Sequence, residues 1–219
     1  MTDRINKVFN EELQKQIDGT LPIGHVYQLG RPGIILLAAG VEDLSMELES
    51  GILFKKSSVG YHENHPFDMF CIMNLPNAMN NPIAVFDDGF NTVGGKRILI
   101  DLQHNGHNFL VVMRVYTLKK NRKVNVRVNS IRTIFPKDKV GDVFDWFFTK
   151  NDLLRWVDKK KALNFVSIHS TLSNVDGNDI RAQKVIAKIN SFQNPAMAGC
   201  SVDRINNKII YSPEKVNSK

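Results

Sequence analysis

Two runs of alternating residues, Lys96–His104 and His107–Thr117, flank the dipeptide Asn105-Gly106. That dipeptide between alternating runs is the strongest short-range hairpin signal, because a type I′ turn needs positive φ at both central residues. A two-residue loop there sets the register: Ile100 faces Val111, Ile98 faces Met113, Leu102 faces Phe109, and His104 faces His107. This apolar face is expected to be core. The other face pairs Asp101 with Leu110, Leu99 with Val112, and Arg97 with Arg114.

The connection LKKNRK leads into a third strand, where Val124, Val126 and Val128 alternate with Asn125, Arg127 and Asn129. With Lys120-Asn121 at the tip, Arg114 lies opposite Arg127, and Arg97, Arg114 and Arg127 form a row on one face. Like charges directly opposite destabilise a sheet. Such a row needs either a bound anion or interposed acids, for which Asp87, Asp88 and Asp101 are at hand. Beyond the valines, Ser130, Arg132 and Thr133 break the alternation. Ser130 reads as a phosphate contact or as the mark of a β-bulge.

Charge supports the anionic-ligand reading. The formal net charge is +7, and between Arg114 and Lys139 there are nine Lys or Arg against the single acid Asp138. Cations concentrated in this way focus potential over a patch. The bland alternative is a solvated basic surface. No run approaches the ~18 apolar residues of a membrane span, and the N-terminal residues MTDRINKVFNEELQKQ hold no apolar signal core. These features predict a cytoplasmic protein with no membrane partner. Cys71 and Cys200 have no Cys-x-x-Cys spacing, which argues against a disulfide framework or structural zinc.

Around the hairpin, the pattern predicts an amphipathic helix over residues 2–18, an extended piece over 21–30, and a small helix opened by Pro32 and stopped by Gly40. Ser45–Glu49 and Ile52–Lys56 read as two short strands around Gly51. Pro66–Met73 reads as a helix, Leu75–Asn80 as a further turn or so, and Ile83–Phe86 as a strand. An aromatic helix is expected over Val140–Thr149, another from Asn151 through Val157, and a final strand over Leu163–Ile168. A last helix is expected over Asp179–Phe192. The predicted class is α+β: a central antiparallel sheet, an N-terminal helical layer and C-terminal helices. The organisation reads as an N-terminal helix (1–20), an α+β domain (21–168), a linker with amphipathic helix (169–193), and a loose tail (194–219).

Three phrases occur together in order: LGRPGIILLAAGVEDLSMELESGILFKK (29–56), the His65 region running into NLPNAMNNPIAVF (74–86), and VNSIRTIFPKDK (128–139). As a set they resemble the C-terminal domain of phage MuF proteins and of the polyvalent proteins of phages and conjugative elements, over roughly residues 21–165. That group is similar to the barnase, EndoU, colicin and RelE-like ribonucleases. The resemblance implies a helical part packed on an antiparallel sheet and a toxin-like domain delivered with a phage or mobile element. It also implies RNA as substrate, an immunity or phage or host protein as a further partner, and no cofactor or metal. The family lysine falls on Lys55 or Lys56, its histidine on His65 or, through the local sequence ENHPF, on His62, its polar strand residue on Ser130, and its closing lysine on Lys137.

Metal-independent RNA cleavage needs a base for the 2′-hydroxyl, an acid for the leaving 5′-oxygen, and cations for the phosphorane. Histidine suits the proton work near neutral pH, and fixed Lys or Arg donors supply the electrostatic part. The candidate catalytic residues are therefore His65, Lys56, Arg127 and Ser130, with Arg97, Arg114, Arg132 and Lys137 as substrate-binding residues. The bland alternatives are solvated loop histidines, a lysine-tipped strand, a structural arginine–aspartate network, and core aromatics at Trp146, Phe147, Phe148 and Trp156. A non-catalytic module binding nucleic acid or protein is the competing function.

Overall fold

The computed structural model describes residues 2–57, 67–89, 95–102, 108–120, 124–136, 152–172, 180–196, 200–203 and 208–211. The chain opens with helix α1 (Thr2–Ile17), strand β1 (Val26–Gln28), helix α2 (Ile34–Ala38), strand β2 (Met46–Glu49) and helix α3 (Ser50–Ser57). A 3₁₀ turn (Met69–Ile72) and helix α4 (Leu75–Asn80) lead into strands β3 (Ala84–Asp87), β4 (Lys96–Asp101), β5 (Asn108–Lys120), β6 (Val124–Pro136) and β7 (Leu154–Val157). Helices α5 (Lys159–Leu172) and α6 (Ile180–Ser191) follow, then a two-stranded ribbon of β8 (Cys200–Asp203) and β9 (Lys208–Tyr211), within the segment expected as a loose tail. The fold is α+β, as expected.

The main sheet runs β1-β2-β6-β5-β4-β3-β7. All neighbours are antiparallel except β2 and β6, which run parallel with Glu47 opposite Ser130. The first face carries Ile98, Ile100, Phe109, Val111, Met113, Ile131 and Ile134, packed with Phe9 and Leu13 of α1, Leu36 of α2, Leu53 of α3 and Leu75 and Met79 of α4. The second face carries Ala84, Phe86, Leu99 and Leu110, packed with Ala162, Phe165 and Val166 of α5 and Val185 and Ile189 of α6. Each fully buried Leu, Ile or Phe contributes roughly 1.5–3 kcal/mol of hydrophobic stabilisation.

The NLPNAMN stretch is a structural fastener. Asn74 precedes α4 with φ 64°, a left-handed conformation that Asn tolerates better than most side chains. Its Oδ1 accepts hydrogen bonds from Nδ2 of Asn6 (2.6 Å) and of Asn10 (2.9 Å), and its backbone N–H donates to Asn10 Oδ1 at 2.9 Å. Asn80 Oδ1 accepts from the Gly33 N–H at 2.6 Å. One polar motif thus ties α4 to both α1 and the entry of α2. Gly40, at φ 81°, ends α2 in the left-handed region, and a Cβ there would lie 3.3 Å from Lys96 Nζ.

Several expectations are corrected. Ile52–Lys56 is helical, inside α3. Strand β2 already has β1 on one edge and β6 on the other, so a further strand beside it has no vacant edge. Over the described part of Asn151–Val157 the expected helix is replaced by a strand: Leu154–Val157 pairs with the edge of β3 and buries Leu154, Trp156 and Val157. Leu163–Ile168 lies within α5, where buried Ala162, Phe165 and Val166 follow helical spacing. The run Asp158–Lys161 opens that helix, with the Asp158 carboxylate accepting from Lys161 N–H at 3.0 Å. The aromatic stretch Val140–Thr149 lies outside the described residues.

Both hairpin registers also differ. Between β4 and β5 the pairs are Asp101↔Asn108, Ile100↔Phe109 and Ile98↔Val111, displaced by two residues from a turn closed at Asn105-Gly106. A displacement of two leaves each side chain on its expected face. Between β5 and β6 the pairs are Arg114↔Ser130 and Thr117↔Arg127, displaced by three. An odd displacement moves one strand's side chains to the opposite face.

Candidate functional site on the polar half of the sheet

That displacement dissolves the expected arginine row. Arg97 lies opposite Val112, two residues from Arg114, so both stand on the second face. Arg127 stands on the first face, beside Asn129 and Ile131 in alternation, and pairs there with Glu42 at 2.7 Å. Asn129 Nδ2 confirms the side, donating to the backbone oxygens of Glu42 (2.8 Å) and Leu44 (3.1 Å).

The two remaining arginines share one carboxylate. Asp88, with a fully buried side chain, accepts from Arg97 Nε at 2.8 Å on one oxygen and from Arg114 Nε and Nη2 at 2.8 Å on the other. Its backbone N–H donates to Gly95 oxygen at 2.9 Å. Both guanidinium groups thus converge on one carboxylate. Arg114, with 38% of its side chain exposed, reaches solvent, whereas Arg97 is 15% exposed. The preceding Asp87 does the mirror-image task on the first face, bridging Lys96 Nζ (2.6 Å) and Arg155 Nη2 (2.6 Å). Burial pulls the Asp87 carboxyl upward, and the hydrogen bonds and charges of Lys96 and Arg155 outweigh it, holding the group below the usual carboxylate range.

Beside Arg114 the second face continues as a polar row. Register places Arg114 opposite Ser130, Ser130 opposite Glu47, and Glu47 opposite Gln28, so the row crosses β5, β6, β2 and β1. Neighbouring strands lie ~4.8 Å apart, which puts the Glu47 and Arg114 backbones roughly 10 Å from each other with the serine between. Ser130 is 7% exposed, Glu47 is half-buried, and Gln28 Nε2 donates to Glu47 Oε1 at 3.3 Å. A carboxylate and a guanidinium reaching solvent on either side of a sunken hydroxyl can hold a phosphate group and exchange a proton beside it.

The sequence-based candidates separate accordingly. Arg97, Arg114 and Ser130 come together on one face. Arg127 stands on the other. Arg132 is exposed at the irregularity where the β5–β6 register shifts between Val112 and Met113, so the bulge lies two residues past Ser130. Lys55 and Lys56 are in α3, whose Leu53 packs into the first-face core. His62, His65, His104, His107 and Lys137 lie outside the described residues. Glu47 was missed: the alternation in SMELE marks it as a polar-face strand residue, but its neighbour Ser130 follows only from the parallel pairing of β2 with β6.

Residues 56–164 match the family model of the phage MuF-C-terminal domain. No curated protein and no solved structure matches. The matched segment holds Asp88, Arg97, Arg114 and Ser130, whereas Gln28 and Glu47 come from the chain ahead of it. The chain thus belongs, through residues 56–164, to the phage MuF-C-terminal domain family.

Proposed function

We propose that this phage domain is a metal-independent ribonuclease that seats an RNA phosphate between Glu47 and Arg114. The observation that supports this reading is the direct adjacency of Glu47, Ser130 and Arg114 on three hydrogen-bonded strands. Glu47 removes the proton of a 2′-hydroxyl. The freed O2′ attacks the neighbouring phosphorus, the P–O5′ bond breaks, and an acid protonates the departing 5′-oxygen. The acid is a histidine of the 62–65 segment, by the family resemblance. Arg114 neutralises charge on the non-bridging oxygens, and the Ser130 hydroxyl donates to one of them. Asp88 and Arg97 hold the Arg114 guanidinium in place.

Incubation with total tRNA in EDTA tests this, with a substrate carrying deoxyribose at the cleaved positions beside it. Products ending in 2′,3′-cyclic phosphate, and no cleavage of the deoxy substrate, are expected. Cleavage that survives deoxy substitution, or that needs a metal, refutes the mechanism. A second reading, a non-catalytic nucleic-acid-binding module, is favoured by the Asp88 carboxylate, which already engages the Arg114 guanidinium that the catalytic reading turns toward a phosphate. It predicts RNA affinity that falls steeply with salt and no product.

A further inference from the structure

The two edges of the main sheet end differently. On the β7 edge, Asp158 N–H donates to the Ile83 oxygen at 2.9 Å, so the alternation of antiparallel pairing turns the Val157 N–H and C=O away from β3. Asn194 takes both. The Val157 N–H donates to Asn194 Oδ1 at 2.9 Å, and Asn194 Nδ2 donates to the Val157 oxygen at 2.8 Å. One side-chain amide thus makes the two bonds that a further strand would make. Arg155, on the same strand, adds a charge that disfavours pairing with another chain.

The β1 edge has no such closure among the described residues. Ser50 N–H donates to the His25 oxygen at 3.0 Å, and Leu29 N–H to the Met46 oxygen at 2.9 Å. With Tyr27 opposite Leu48, residues 25, 27 and 29 bond toward β2, while Val26 and Gln28 turn their N–H and C=O groups outward. Two donors and two acceptors stand there at strand spacing. Where β1 begins, the end of α1, the 21–25 loop and the start of α3 enclose an apolar groove of about 680 Å³, lined in part by Leu21, Pro22, Ile23, Val26 and Phe54. Ile23 is fully exposed, and Phe54 is 60% exposed.

Charge selects the occupant. Residues 16–30 contain Asp18 and no Lys or Arg, and residues 42–54 contain four acids and no Lys or Arg, in a chain of net charge +7. Glu42 and Asp43 are paired with Arg127 and Arg31. Glu47 and Glu49 stand on β2 opposite Gln28 and Val26, one strand in from the open edge. A second copy placed edge to edge brings like charges together. An incoming strand lies two strand spacings from β2, roughly 10 Å, and its Lys or Arg side chains reach these carboxylates across Val26 and Gln28.

We propose that the β1 edge receives an extended, basic segment of a partner protein. The segment pairs with Val26 and Gln28 as an added strand, sets Lys or Arg beside Glu47 and Glu49, and places an adjoining apolar side chain in the groove lined by Ile23 and Phe54.

The test is amide hydrogen exchange, read residue by residue by NMR on the full chain, with and without the peptide acetyl-Leu-Lys-Val-Lys-Val-Lys-Leu-amide. In the free chain, Val26 and Gln28 are expected to exchange faster than Tyr27. Saturating peptide is expected to slow both by about tenfold or more, and to leave Val157, already bonded to Asn194, unchanged. In fluorescence anisotropy, the same peptide with Glu in place of Lys is expected to bind about tenfold more weakly. An Ile23→Ser/Phe54→Ala chain of unchanged urea midpoint is expected to bind the Lys peptide more weakly than the wild type does. Val26 and Gln28 already protected in the free monomer, or protected by a concentration-dependent dimer, overturns the proposal in favour of the chain itself or a second copy. No binding of the Lys peptide, equal binding of the Lys and Glu peptides, or binding that protects neither amide also overturns it. None of these outcomes depends on cleavage of RNA.

Discussion

The second face of the sheet has two halves with opposite chemistry. Across β7, β3, Leu99 of β4 and Leu110 of β5 it is apolar and covered by α5 and α6, with Leu99 and Leu110 fully buried. From Arg114 through Ser130 to Glu47 and Gln28 it is polar, and its charged groups reach solvent. The boundary falls on β5 between Leu110 and Arg114, and Asp88 anchors the two arginines beside it. One strand therefore serves the core with one end and a candidate site with the other. A charged row can sit on a sheet when one buried carboxylate fixes its root and its tip stays wet.

The comparison is sharpened first by substitutions on either side of the boundary. Asp88→Asn strands Arg97 and Arg114 without their shared counter-charge, and is expected to cost about 3–5 kcal/mol in urea unfolding. Leu99→Ala on the covered half is expected to cost about 2–5 kcal/mol through lost burial and a cavity. A loss below about 1 kcal/mol for Asp88→Asn breaks the claim that the polar half is rooted in the fold. Asn74→Ala removes the fastener between α1 and α4 and forces a left-handed Ala, for an expected loss of about 1–2 kcal/mol. Arg127→Ala, on an exposed pair with Glu42, is expected to change stability by about 0–1 kcal/mol. The contrast between Arg127 and Asp88 separates a surface pair from a buried one.

The adjoining Asp87 adds a pH test. Its carboxyl is held below the usual range in the folded chain, so the folded state binds the proton less readily than the unfolded state. Its stabilising contribution is full above the ordinary carboxylate value near ~3.9, and fades as pH falls through that value toward the lower folded one. The gap in urea midpoint between wild type and Asp87→Asn is expected to close over that interval, and to stay constant from pH 6 to 8.

Much of this arrangement was readable from residue order, and the failures have local causes. Alternation in Arg97–Asp101 and Phe109–Met113 identifies two strands and their faces, because a register displaced by two residues preserves them. The β5–β6 connection was less forgiving. LKKNRK admits several tips, and the three-residue difference sent Arg127 to the other face. Short apolar runs at Ile52–Phe54 and Leu163–Ile168 suit helix or strand equally well, and long-range packing decides them. Glu47 was invisible as a site residue because its partner is 83 positions away, through a parallel pairing that no turn announces. Arg114 and Ser130 were legible as candidates, whereas the burial of Asp88 beneath Arg114 required the fold.

The most direct test is the rate of tRNA cleavage in EDTA by Glu47→Gln beside wild type and Glu42→Gln, all matched for urea midpoint. Removing a positioned base costs ~10²–10⁴-fold in rate, so Glu47→Gln is expected to fall by at least a hundredfold. Glu42→Gln, altered on the opposite face, is expected to cleave within about twofold of wild type. Equal cleavage by Glu47→Gln and wild type, or no cleavage by either, contradicts the assignment of the polar row as the site of chemistry.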